Sequence, residues 1–132
     1  MRIIFSIFIL LLGLSSCKSY QPEVSKLADE VMVIHDEIMP EMSTIHKLRK
    51  KIKKRLKDGQ LAPEKIQNYK NSLTELENAD EAMMVWMQEY EIPDAAVEKQ
   101  ISYLNKEENK IKEVKIMMES AIKNAQNVVN EF

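Results

Sequence analysis

The chain has 132 residues, with 19 basic and 21 acidic side chains and a net charge of −2, so no overall charge calls for nucleic acid as a partner. Only two glycines, few aromatic residues and an abundance of Lys, Glu, Met, Ile and Leu favour long helices over strands. A single cysteine excludes an internal disulfide framework.

Met1-Arg2 opens the chain with one positive charge, and Ile3 to Leu12 is an apolar run broken only by Ser6. Small residues follow at Gly13-Leu14-Ser15-Ser16, then Cys17. A charged start, a short apolar core and a small-residue exit predict a secretory signal over residues 1–16. The run is too short to span a membrane, which takes roughly 20 apolar residues. Leu14-Ser15-Ser16-Cys17 resembles the lipobox of bacterial lipoproteins. That resemblance implies cleavage before Cys17, lipidation of its thiol (with palmitate-type chains) and acylation of the new amine. Two or three acyl chains give stable membrane attachment where one is marginal. Lys18, standing where an inner-membrane lipoprotein has Asp, resembles a signal for passage to the outer membrane. Lys18-Ser19-Tyr20-Gln21-Pro22 lacks the acidic cluster of surface-exported relatives, which favours the periplasmic face.

Residues 17–23 read as the lipidated cysteine and a polar tether, and residues 24–132 as one all-α domain. In the first helix, about 24–57, Val24, Val31, Ile38, Ile45 and Ile52 recur at seven-residue steps, with Leu27, Ile34, Leu48 and Leu56 beside them. Asp58-Gly59 ends it. A second helix, about 63–91, starts at Pro63 and carries Ile66, Tyr69, Leu73, Leu76, Met83, Met87 and Tyr90. Ile92-Pro93-Asp94 breaks it, with Asp94 expected to cap a third helix, about 94–130. The third stripe runs from Val97 through Ile101, Leu104, Ile111, Val114, Met118 and Ile122 to Val129. Short turns between amphipathic helices predict an elongated antiparallel three-helix bundle with coiled-coil-like packing. So slim a body has no deep cavity to exclude water, which argues against an enzyme.

His35-Asp36-Glu37-Ile38-Met39-Pro40-Glu41-Met42, with Ala82-Met83-Met84-Val85-Trp86-Met87 downstream, resembles a family of small helical lipoproteins of Gram-negative envelopes, often labelled viral A-type inclusion protein. The resemblance implies a fold and a location, and no activity.

Three features stand above this background. First, Met32, His35, Met39, Met42 and His46 share one face of the first helix, rotated by about 60–80° from the Val/Ile seam. Counting ~1.5 Å per residue from Gly59, Met83 stands level with Met39, and Met87 with His35. Thioether and imidazole together suit Cu(I) or Ag(I), with Trp86 placed to cover the ion. The same spacing suits a second packing face, in which methionine fills irregular gaps and no cofactor is needed.

Second, Glu41, Asp80 and Glu107 each occupy a position where the repeat expects an apolar side chain, at heights within roughly 5 Å. A buried polar core layer, a hard-metal or proton-responsive site with His35 or His46, and simple solvation at a Pro40 kink are the alternatives. Third, Lys47, Arg49, Lys50, Lys51, Lys53, Lys54, Arg55 and Lys57 form a basic patch at the helix end, where positive charge suits the helix dipole. It lies far from the lipid along the rod. Anionic head groups, cell-wall polymer or solvent could face it.

Together these readings predict a non-enzymatic lipid-anchored envelope protein acting as an interaction or spacer module. Its expected partners are the membrane through Cys17, an envelope protein or cell-wall polymer, and a second copy through exposed seam residues. The alternative is a periplasmic Cu(I)/Ag(I)-type metal-binding lipoprotein using His35, Met39, Met42, His46, Met83 and Met87.

Overall fold

A computed structural model describes residues 21–59 and 61–130. The expected signal segment 1–16, Cys17 and tether residues 18–20 lie outside the described residues. Four helices follow in order: α1 Pro22–Ile38, α2 Glu41–Asp58, α3 Pro63–Glu89 and α4 Val97–Asn130. No strand occurs among the described residues.

The first predicted helix is two helices in line. Met39 and Pro40 keep helical dihedrals (φ −56°, ψ −37° and φ −58°, ψ −27°), so α2 continues the course of α1. Proline has no N–H to return to the preceding turn, so the ladder breaks there. Shorter bonds take over, from Met42 N–H to Met39 O (3.1 Å) and from Ser43 N–H to Pro40 O (3.2 Å). The helix also starts earlier than expected. Pro22 sits in its first turn, so Pro22 and Glu23 are helical rather than tether.

Gly59 stops α2 in the left-handed region at φ 64°, where a side chain is disfavoured. The link from α3 to α4 is longer than the expected turn. Tyr90 leaves α3 in an extended conformation, and α4 begins only at Val97. Asp94 therefore lies three residues ahead of the first helical residue, not next to it. Ala96 fills that place, its carbonyl accepting from Lys99 N–H (2.9 Å) and Gln100 N–H (3.1 Å). The buried Gln100 side chain donates from Nε2 to Pro93 O (3.0 Å) and ties the link to α4.

Three limbs pack against each other. The α1–α2 limb runs parallel to α4, with α1 against its first half and α2 seated against both α3 and α4. Glu37 at the end of α1 pairs with Lys115 at the middle of α4 (2.7 Å). The limb formed by α3 is antiparallel to α4: Glu75 accepts from Asn124 Nδ2 (2.8 Å), while Tyr90 faces Tyr103 near the other end.

The core lies where the periodicity puts it. Val24, Val31, Ile38, Ile45 and Ile52 are all buried, as are Tyr69, Leu76 and Met83 on α3 and Leu104, Ile111 and Met118 on α4. Full burial of one such side chain contributes about 1.5–3 kcal/mol. No described helix is long and apolar enough to cross a membrane.

Candidate functional site

The methionine and histidine stripe is divided by the fold. Met42 and Met83 are buried in the core, and Met32, Met39 and Met87 are half-buried against it. His35 and His46 go separate ways. The His35 ring stacks on Trp86 of α3 at 5.5 Å, while Nδ1 donates to Asp36 Oδ1 (2.8 Å). His46 is mostly exposed on α2, with Nε2 3.7 Å from Asp80 Oδ1.

Trp86 also begins an aromatic column absent from the sequence expectation. Tyr90 lies 4.9 Å from Trp86, and Tyr103 of α4 lies 6.2 Å from Tyr90. The column joins α1, α3 and α4 at the level where α3 ends. Tyr103 accepts from the Glu91 backbone N–H (2.7 Å), which fixes the first residues of the link. Burial pushes the Tyr103 phenol above its usual value, and the nearby Glu107 and Glu91 charges add to the shift. The sequence signal for this column was three aromatics near a helix break, on faces that only the long link brings together.

Glu41, Asp80 and Glu107 do not form one layer. Asp80 Oδ2 receives Arg49 Nη1 at 2.6 Å. Glu107 is 3% exposed and accepts from Lys110 Nζ on Oε1 (2.8 Å), while Oε2 is buried without a hydrogen-bond partner. That bond raises the Lys110 ammonium above its ordinary value, against the opposing effect of burial. Glu41 lines a shallow surface groove with Glu37, Lys115, Glu119 and Lys123. The reason is the register of α4. Counting from the Glu75–Asn124 contact, Asp80 stands opposite about residue 119, so Glu107 lies about 18 Å further toward the link. The expected tight turn at Ile92-Pro93 would have brought them level; the seven-residue link does not. No group of three or more His, Cys, Asp or Glu placed to hold a metal occurs among the described residues.

The basic patch splits into two sets. Arg49 turns inward, and its guanidinium reaches Asp80 and Glu77 (Nη2–Oε1 3.4 Å) on α3. Lys53 joins it at Glu77 Oε1 (2.8 Å). The Lys53 hydrogen bond, with the charges of Lys53 and Arg49, holds the Glu77 carboxyl below its usual value against the cost of burial. This cluster fastens α2 to α3. Arg55 is half-buried. Lys47, Lys50, Lys51, Lys54 and Lys57 are exposed on the outer side of α2, with no ion pair to any carboxylate among the described residues. Like charges so close repel one another, and this face carries a local positive potential.

The grooves along α3 and α4 are shallow. One holds Ala82, Val85, Trp86 and Met117, and the next holds Met117, Ile116 and Ala121 with Glu75 and Asn124. Val85, Ile116 and Met117 keep 42%, 65% and 44% of their surface exposed, a scatter that monomeric proteins commonly carry. Compared with protein-family models, with curated proteins and with solved structures, the chain gives no match.

Proposed function

We propose that this chain is a lipid-anchored envelope protein, attached through Cys17 to the periplasmic face of a bacterial outer membrane, whose helical body works as a non-enzymatic interaction or spacer module. The attachment half of this reading rests on the sequence: the apolar run Ile3 to Leu12 followed at once by Leu14-Ser15-Ser16-Cys17. The interaction half is carried by one observation, the row of exposed lysines on the outer face of α2, which hold no ion pair among the described residues. Chemistry needs a recess that orients reactants and excludes water. The half-buried charged cluster of Arg49, Asp80 and Glu77, with Lys53, is instead spent on joining α2 to α3.

Fractionation tests the attachment. The wild-type chain expressed in a Gram-negative host sediments with outer membranes and needs detergent for release. A Cys17→Ser variant appears in the soluble fraction or is retained as the unprocessed precursor. Equal, detergent-dependent membrane recovery of a processed Cys17→Ser chain would defeat the reading.

Soft-metal binding is the second reading, and His35 is what favours it. Asp36 holds only Nδ1 of the ring, the ring stacks on Trp86, and Met39, one helical turn along, and Met87, next to Trp86 in the chain, are half-buried against the core. Cu(I) titration against a competing chelator should give binding tighter than micromolar that His35→Ala abolishes. Absence of binding, or binding unchanged by that substitution, removes this reading.

A further inference from the structure

The outer face of the α1–α2 limb is divided by charge at Pro40. Helix α1 carries five carboxylates and one lysine, a net of −4, and α2 carries eight basic side chains against two acids, a net of +6. The division is ordered as well as gross. Opposite the buried seam run two adjacent heptad rows, Val33, Pro40, Lys47, Lys54 and Asp29, Asp36, Ser43, Lys50. Every one of these eight residues is exposed. The rows are offset by three residues, which is the spacing of the two contact positions of a helix–helix seam.

We propose that this face is a self-association surface whose partner is the same face of a second copy, antiparallel, about a two-fold axis between Pro40 and Ser43. Folding the rows back on that axis sets Asp29 against Lys54 and Asp36 against Lys47 of the second copy, and Val33 against the aliphatic stem of Lys50. The two-fold repeats each pair, as an isologous contact must. Pro40 and Ser43 meet at the centre, where short side chains let the helices approach. On the flank, Glu30 comes opposite Lys51, a further match of sign. A parallel arrangement would lay acid on acid and lysine on lysine, so orientation is fixed by charge. The competing local claims on these groups are light. Asp36 holds His35, Glu30 lies 3.6 Å from a largely exposed Lys26, and the five lysines hold no ion pair among the described residues. One like pair, Lys26 against Lys57, falls at each end and limits the affinity.

The inference does not rest on lipidation of Cys17. A seam of exposed ion pairs is weak per pair and strongly screened by salt. The dimer therefore forms at low ionic strength and is lost at high. Where both N-termini are tied to one membrane, an antiparallel pair lies along that membrane.

The test is sedimentation equilibrium of the full-length chain in mild detergent and reducing buffer, which keeps Cys17 from forming disulfides. The wild-type chain should dimerise, and raising NaCl from about 50 to about 500 mM should weaken the dimer about tenfold or more. Lys47→Glu/Lys54→Glu and Asp29→Lys/Asp36→Lys should each be monomeric alone. Mixed in equal amounts, they should form the heterodimer, a rescue that misfolding of either variant could not give. A monomeric wild-type chain at low salt, or failure of the mixture to associate, overturns the proposal. A monomeric chain whose Lys47→Glu/Lys54→Glu variant alone loses binding to anionic phospholipid vesicles likewise overturns it and assigns the lysine face to membrane.

Discussion

Arg49 shows how one side chain can leave the set its neighbours belong to. In a run of eight basic residues it alone turns inward to Asp80, and both side chains are about four-fifths buried. Removing one partner of such a pair leaves a charge stripped of water and unanswered, which costs more than the pair contributes. Arg49→Ala should lower unfolding stability by about 1–3 kcal/mol in urea melts followed by circular dichroism, whereas Lys50→Ala, on the solvent side, should change it by less than about 0.5 kcal/mol. Equal effects of the two would show that Arg49 is solvated after all. Glu77 gives the same cluster a pH dependence. Its carboxyl is held below the ordinary value by Lys53 and Arg49, so its stabilising effect is complete above the unfolded-state pKa. It is lost as pH falls through the lower, folded-state pKa. Lys53→Ala should flatten the acid limb of the stability profile by lowering stability at neutral pH, and leave it nearly unchanged at a pH below the folded-state pKa of Glu77. The inward turn of Arg49 was not legible in the sequence, because its helical phase lies between the buried seam and the open face and only α3 decides which way it goes.

At the scale of the element, the heptad rows carry nearly everything. Val24, Val31, Ile38, Ile45 and Ile52 were readable as a buried seam, and they are buried. Met83 and Met84 are adjacent in sequence, yet one is fully buried and the other 43% exposed. Met83→Ala should cost about 2–5 kcal/mol and Met84→Ala less than about 0.5 kcal/mol, measured by the same melts. Gly59 closes α2 at φ 64° with open space around it, so a methyl group there meets only backbone strain. Gly59→Ala should cost about 1 kcal/mol, and Gly59→Asn distinctly less, since Asn tolerates the left-handed region. What the periodicity did not reveal was the phase of one helix against another along their length. Asp94 looks like a cap, and Ile92-Pro93 like a tight turn. The chain instead stays non-helical from Tyr90 to Ala96, with a bend at Asp94-Ala95, because Pro93 disfavours helix in its predecessor and Gln100 and Tyr103 hold the link against α4. That shift separates Glu107 from Asp80 and gathers Trp86, Tyr90 and Tyr103 instead. A seven-residue link and a three-residue turn satisfy the same apolar pattern, so the pattern alone could not choose between them.

For the whole molecule, the apolar pattern fixes three packed limbs, and charge writes the surface. The overall net charge of −2 conceals an acidic α1 and a basic α2 set end to end on one limb. That division gives the rod a direction, and it gives two rods a reason to lie antiparallel. On the proposed reading, lipid at Cys17 adds a second constraint by holding one end at a membrane, where local concentration rises and weak pairing is enough. Cys17 is the hinge of this account, and mass spectrometry of the chain recovered from Gram-negative outer membranes tests it most directly. The predicted result is a polypeptide lacking residues 1–16 whose first residue is Cys17 bearing acyl chains; a chain that retains Met1, or that carries Cys17 as an unmodified thiol, would contradict it.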